Sequence, residues 1–296
     1  MDGELMTNTV SDVARPRLIP PPERWKSWPF FAAILAMAAY WGVLYLIAWL
    51  GNPGFDLAIL LVYAGSFASI SMLGILVSLP LLSLAVRLPI SLLMLLVATG
   101  FTLLFWDIYD SSELHLWLVL ISLQYTLVAV TSALILQASK SRLEGVRHFS
   151  LWALILTVTA IAVGLGAIRG VATIMDITWT DFVSSRAASF YAVALMNCTA
   201  AIGTILAFAV RRRLLRVLLL IVGIPLAISL TLAVLNLHDW LIPDEDVMES
   251  SEAIIFAAIQ AIGISLSLLP VLLTAGRSEQ APQGGSPASE LLQQSP

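Results

Sequence analysis

The hydrophobic residues of this chain are gathered into eight apolar segments that alternate with short polar connections. Each segment is about as long as the ~20 residues that a helix needs to cross the hydrocarbon core of a bilayer. The pattern therefore predicts an all-α integral membrane protein, a bundle of eight transmembrane helices. The segments are residues 29–50, 57–79, 88–106, 114–136, 149–168, 187–210, 214–235 and 253–274.

Lysine and arginine fall almost entirely on every second connection. With the N-terminus in the cytoplasm, 13 of the 15 cationic residues lie on the inner side, and Arg169 and Arg186 are the exceptions. Because short loops rich in lysine and arginine stay in the cytoplasm during insertion, both termini are predicted to be cytoplasmic. The sequence thus predicts a multi-pass protein of the cytoplasmic membrane, with the lipid bilayer as its partner.

Carboxylates follow the opposite distribution. Two cations and 12 carboxylates give the predicted outer face a net charge of −10, while 13 cations and seven carboxylates give the inner face +6. The net charge of −4 is therefore divided across a bilayer, and a nucleic-acid partner is not indicated. A hydrophobic content of 59%, a charged content of 11% and a mean hydropathy of +0.93 also exclude an ordinary soluble domain.

The two ends of the chain are rich in polar residues and proline. Residues 1–28 and 275–296 cannot bury enough apolar surface to order themselves, so both are predicted to be flexible cytoplasmic tails around the bundle of residues 29–274. The only cysteine, Cys198, lies in the sixth segment, which excludes an internal disulfide and a cysteine metal cluster.

The sequence predicts a particular structure for two of the connections. Residues 169–186 mix Trp179 and Phe182 with aspartate and threonine, which predicts a short helix lying at the membrane interface. Residues 80–89 are apolar but are bracketed by two prolines, so they are compatible with a kinked or re-entrant passage as well as with a plain turn.

The centres of the segments contain neutral polar residues and no charged ones. Gln124, Asn197 and Gln260 lie in segments four, six and eight, which run in the same direction, at similar distances from the outer end. They are therefore predicted to lie at one depth, and a hydroxyl residue follows each of them seven positions later on the same helix face. The hydroxyl residues are Thr131, Thr204 and Ser267.

This polar layer has two interpretations. It could line a neutral polar pocket near the middle of the membrane. It could equally hold the helices together, because amides form hydrogen bonds across helices that are worth about 0.6 kcal/mol on average. The second interpretation is favoured, since an amide facing lipid is costly and an interior position is required whatever the function. The lack of a charged residue in the segment centres argues against ion-coupled pumping.

Histidines and carboxylates coincide only in connections predicted to lie outside. Imidazole and carboxylate groups bind divalent cations, and a bound cation could activate water or hold an anionic headgroup. The spacing matches no known metal motif, and acidic residues are tolerated on the outer side in any case. A shared site would require both histidines to lie within ligand distance of one ion. The candidate ligands are His115, His238, Asp110, Glu113 and Asp239.

These patterns favour a non-enzymatic scaffold or subunit of a membrane complex, without a cofactor. One alternative is a permease for a neutral or lipid-like solute that uses the amide layer. Another is a metal-assisted enzyme at the outer rim, acting on lipids or envelope precursors. A cavity reaching the three amides would favour the permease, convergence of the histidines with acids would favour the enzyme, and a solid bundle would favour the scaffold.

Overall fold

Seven long helices make up most of the computed structural model. The structure describes residues 24–50, 55–79, 81–105, 114–144, 166, 169, 170, 173, 178, 180–210, 212–243 and 247–274. Within these residues all seven are long and apolar enough to cross a membrane. The chain is therefore a helical, multi-pass type of membrane protein. The helices are α1 Arg24–Leu50, α2 Phe55–Ser78, α3 Leu84–Phe105, α4 Leu114–Glu144, α5 Ser185–Ala209, α6 Arg213–Leu241 and α7 Ser250–Thr274.

Seven of the eight predicted segments correspond to these helices. Segments one to four match α1–α4, and segments six to eight match α5–α7. The fifth segment, residues 149–168, lies outside the described residues except for one position, so the count of eight stays a prediction. The predicted tails and most of the predicted interfacial helix likewise lie outside the described residues.

The apolar stretch after α2 forms a turn followed by a regular helix. The backbone N–H groups of Val86 and Arg87 both donate to the carbonyl of Ser83, which opens α3. Pro89 is the sixth residue of α3, so it lies inside the helix and removes the hydrogen bond that its N–H would have given to Ala85. The described residues therefore form two helices joined by a turn, and the re-entrant passage over 80–89 stays a prediction.

Helices α2 and α4 lie side by side and run in the same direction. Tyr63 stacks on Trp117 near the start of both helices, with ring centroids 5.4 Å apart. Ser78 donates to the carbonyl of Ala129 three to four turns later. Because the contacts advance together along both helices, α2 and α4 are parallel.

Helices α5 and α7 continue this parallel arrangement. Asn197 of α5 bonds both Gln124 of α4 and Gln260 of α7, and two turns further on Thr204 pairs with Ser265 of α7. The four helices α2, α4, α5 and α7 therefore share one direction and form the four-helix core. Their starts lie at the N-terminal end of the core, and their last turns lie at its C-terminal end.

Helices α1, α3 and α6 flank the core. Only 17%, 11% and 17% of their spanning windows are buried, compared with 78% for α2, which marks α2 as the central helix. Exposed leucine, isoleucine and valine cover the outer surfaces of α3 and α6. Such surfaces suit a hydrocarbon environment, because lipid tails are as apolar as these side chains.

Glycine allows α5 and α6 to approach closely. A methyl group built on Gly203 would overlap the backbone of Gly223, and the reverse is equally true. The two helices therefore touch backbone to backbone, as small residues permit in membrane bundles. On the other side of the core, the ring of Tyr40 covers Gly263, and its hydroxyl donates to the carbonyl of Ile259.

Candidate functional site

The three predicted amides form one continuous hydrogen-bonded chain across the core. Gln260 Nε2 donates to Asn197 Oδ1 at 2.7 Å, and Asn197 Nδ2 donates to Gln124 Oε1 at 2.9 Å. Gln124 Nε2 then donates to the carbonyl of Phe67 and to the hydroxyl of Ser71, both at 2.8 Å. All three amides are fully buried. We call these contacts the amide chain, and they tie all four core helices together at one depth.

The amide chain has a direction and a free end. Each amide nitrogen donates to the oxygen of the next member, so the donors and acceptors in the middle are matched. Gln260 Oε1, at the end, is buried and has no hydrogen-bond partner among the described residues. A buried acceptor without a partner costs about 1–3 kcal/mol. It is also the point at which the chain could accept a hydrogen bond from a further molecule.

The predicted hydroxyl residues lie towards the C-terminal end of the core from the amides. Thr204 is buried and pairs with Ser265 at 2.9 Å. Ser267 is buried and Thr131 is half-buried. The hydroxyl that joins the amide chain is instead that of Ser71, which the sequence interpretation did not include. Helix periodicity assigned residues to faces within one segment, but it could not say which face of α2 meets α4.

A cavity of about 400 Å³ lies at the N-terminal end of the core. Its walls include the aromatic rings of Tyr63, Trp117 and Phe190, and Trp117 meets Phe190 edge to face at 5.4 Å. Arg186 and Glu252 supply charge to the lining. We call this space the core cavity. A mostly apolar lining with a few polar groups is typical of small-molecule sites.

Four apolar side chains separate the core cavity from the amide chain. In a helix, a residue lies about one turn, or 5.4 Å, from the residue four positions on. We call these four side chains the floor of the cavity. Each of them precedes a member of the amide chain by four positions on the same helix, so the cavity ends one turn short of the amides. The pairs are Phe67 and Ser71, Leu120 and Gln124, Val193 and Asn197, and Phe256 and Gln260.

On the other side of the amide chain, apolar side chains from all four core helices are buried. Leu76, Val128, Ile205 and Leu268 belong to one buried apolar cluster that draws on all four core helices. The amide chain is therefore covered by apolar side chains towards both ends of the core.

Three of the five proposed metal ligands, His115, His238 and Asp239, lie among the described residues. His115 lies in the first turn of α4, where its ring packs edge-on against Phe182. Both ring nitrogens are buried and lack a hydrogen-bond partner among the described residues. Asp181 interacts with His115 electrostatically, while hydrogen bonds from Thr178 lower the pKa of the Asp181 carboxyl from its usual value.

His238 has a different environment. The sequence interpretation placed it in a connection, whereas α6 continues to Leu241 and carries His238 in its last turn, buried. In the part of the chain that the structure describes, no three His, Cys, Asp or Glu residues are grouped to hold a metal ion. Asp110 and Glu113 lie outside the described residues, so the shared metal site stays a prediction.

A cluster of Ser189, His238 and Asp239 lies beside the core cavity. Ser189 lines the cavity, and its Oγ lies 3.2 Å from His238 Nε2. The other ring nitrogen, Nδ1, lies 3.3 Å from Asp239 Oδ1. The sequence interpretation grouped His238 and Asp239 with acidic residues and missed Ser189. Ser189 of α5 and His238 of α6 are 49 residues apart in the sequence and meet only in the folded protein. No local sequence motif therefore indicates this pair.

Comparisons with protein-family profiles, with curated proteins and with solved structures find no match. Function is therefore inferred from the geometry of the chain itself.

Proposed function

We propose that the protein is a closed membrane scaffold, or a subunit of a membrane complex, and not a permease. The amide chain is the observation that carries this proposal. Its internal donors and acceptors are paired with each other, and apolar side chains cover it towards both ends of the core. A solute pathway requires polar groups that water or solute can reach, whereas these contacts hold helices together.

The proposed scaffold has eight spans. Helices α4 and α5 are parallel, and Phe182, just before α5, contacts His115 at the start of α4. The chain leaves α4 at Glu144, 31 residues and about 45 Å from that start. It has to return over this distance before α5 begins. The predicted segment 149–168 is apolar and long enough to make that return as a further span.

The proposed orientation follows from the cationic connections. Eight spans bring both termini to one side, and the positive-inside rule assigns that side to the cytoplasm. The C-terminal end of the core then faces the cytoplasm, and the core cavity opens at the outer leaflet. We assign the protein to the cytoplasmic membrane on this basis.

A second candidate function is favoured by the core cavity. A space of about 400 Å³ with an aromatic lining could admit a lipid-like molecule from the outer side. If the floor of Phe67 and Phe256 opened, such a solute would reach Gln260 Oε1, the unpaired end of the amide chain. A permease for a neutral or lipid-like solute would use this route.

The sole cysteine distinguishes the two candidates. Cys198 adjoins Asn197, and its thiol lies 3.8 Å from the carbonyl oxygen of Gln124. In sealed membrane vesicles of either orientation, the closed scaffold leaves Cys198 unreactive towards a small, charged thiosulfonate reagent until the protein is denatured. A permease that alternates between two states exposes this depth to water, so labelling from either side of native vesicles would overturn the scaffold proposal.

The same reagent tests the orientation. A Ser112→Cys change in a Cys198→Ala background places one thiol in a connection assigned to the outer side. We expect this variant to react with reagent added outside intact cells. Reaction only from the cytoplasmic side would reverse the topology, and it would leave the test on Cys198 unaffected.

A further inference from the structure

The cluster of Ser189, His238 and Asp239 lies outside the amide chain that joins the four core helices. It lies about two turns from the amide chain, beside the core cavity, and joins the early turns of α5 to the last turn of α6. Ser189 is the member that lines the cavity. The cluster thus places a hydroxyl, an imidazole and a carboxylate in contact, one after the other, at the edge of an apolar cavity.

The carboxylate determines which nitrogen of His238 carries the proton. Asp239 can only accept a hydrogen bond when ionised, so the neutral imidazole holds its proton on Nδ1. Nε2 is then an acceptor, and the hydroxyl of Ser189 donates to it at 3.2 Å. The other acceptor within reach of this hydroxyl, the carbonyl of Ser185, is farther away at 3.4 Å. The arrangement polarises the O–H bond of Ser189 towards the imidazole.

We propose that Ser189 is a nucleophile for acyl transfer, with His238 as its general base and Asp239 as the residue that positions the imidazole. Serine is activated in this way when an adjacent base is oriented by a third group. The proposal goes beyond the scaffold function, because a closed bundle needs no nucleophile. The two ideas can therefore fail separately.

The cavity indicates the substrate class, an ester with a long acyl chain. The aromatic walls formed by Tyr63, Trp117 and Phe190 suit an apolar chain, and the same lining includes the apolar side chains of Phe67 and Phe256. Arg186 lines the same cavity three residues before Ser189, which places both on one face of α5. Its positive charge, together with the N-terminal end of α5, favours the oxyanion that forms at the carbonyl.

The reaction is hydrolysis in two steps. Ser189 Oγ forms a bond to the carbonyl carbon while His238 Nε2 takes the hydroxyl proton. The carbon–oxygen bond to the alcohol breaks, and His238 returns the proton to the leaving alkoxide. Water then attacks the acyl-serine and gives a proton to Nε2, and that proton returns to Ser189 as the carboxylic acid leaves. One ester and one water give one acid and one alcohol.

The test uses the purified full-length protein in detergent and a fluorophosphonate that carries a long alkyl chain. This probe phosphonylates activated serines. We expect the wild type to be labelled, Ser189→Ala to abolish labelling, and His238→Gln to slow it by about 100-fold, the usual size of a general-base effect. Ser185→Ala, one turn earlier on α5, is the matched control and keeps the wild-type rate. A thermal melt of each variant excludes loss of folding.

A further variant separates positioning from support of the fold. An Asp239→Asn amide can donate to Nδ1 and so hold the opposite tautomer. We expect slower labelling with an altered pH profile, whereas a carboxylate that only supports the fold would leave the profile unchanged. An unlabelled wild type, or equal labelling of wild type and Ser189→Ala, overturns the nucleophile. Neither result bears on the Cys198 test of the scaffold.

Discussion

The two halves of the four-helix core are built from the same parallel helices but are filled differently. Towards the N-terminal end, stacked rings line the core cavity, and the ring planes of Phe67 and Trp117 are within 3° of parallel. Towards the C-terminal end, aliphatic side chains such as Leu76 and Ile264 form a buried cluster. The amide chain separates the two halves. Residue size, and not helix direction, therefore decides where the bundle is open.

Glycine allows other helices to approach the C-terminal half closely. Three core helices carry a glycine within two turns after their member of the amide chain, and each glycine is covered closely by another helix. Before the amide chain, large aromatic rings line the core cavity instead. The glycines are Gly74 of α2, Gly203 of α5 and Gly263 of α7.

The largest effect is expected where two backbones touch. In Gly203→Ala, the new methyl group overlaps the backbone of Gly223, so α5 and α6 have to separate. We expect the free energy of unfolding in detergent to fall by about 3 kcal/mol, the upper range for overpacking. Gly42→Ala is the matched control, because no atom lies within 4 Å of its new methyl group. A similar loss in both variants would show that close approach does not hold the closed half together.

A pair of enlarged side chains compares the two halves directly. Ala201 is fully buried towards the C-terminal end, so Ala201→Leu should lower the free energy of unfolding by about 2 kcal/mol. Val193 lines the core cavity, so Val193→Phe has space available and should change stability by less than about 0.5 kcal/mol. Thermal unfolding followed by tryptophan fluorescence measures both. Equal destabilisation would mean that the N-terminal half is as full as the other.

Hydropathy predicted seven of the helices well, and it said little about their mutual arrangement. The common depth of Gln124, Asn197 and Gln260 followed from their distance to the segment ends, which depends only on helical rise. The sequence could not indicate that Ser71 completes the chain or that Ser189 meets His238. Those contacts depend on how each helix is rotated about its axis and which helices are neighbours.

Segment ends were predicted too short for a physical reason. Apolar composition marks only the part of a helix that lies in hydrocarbon, whereas the backbone hydrogen bonds continue through polar residues. Helix α4 therefore extends to Glu144 and α6 to Leu241, beyond the apolar segments that ended at 136 and 235. The extension of α6 is what brings His238 against α5 instead of leaving it in a connection.

The smallest expected effects concern the middle and the unpaired end of the amide chain, which is the boundary between the halves. Asn197→Leu removes two hydrogen bonds and leaves Gln260 Nε2 and Gln124 Oε1 without their partners, so it should lower the free energy of unfolding by about 1.5 kcal/mol. Gln260→Leu removes one hydrogen bond and exchanges one unpaired acceptor, Gln260 Oε1, for another, Asn197 Oδ1, so it should cost only about 0.6 kcal/mol, the average for one interhelical hydrogen bond. Leu195→Ile, at an exposed position of α5, is the control and should be neutral. If Gln260→Leu lowers the free energy of unfolding as much as Asn197→Leu does, then Gln260 Oε1 has a bound partner. The amide chain would then bind a further molecule as well as hold the helices together.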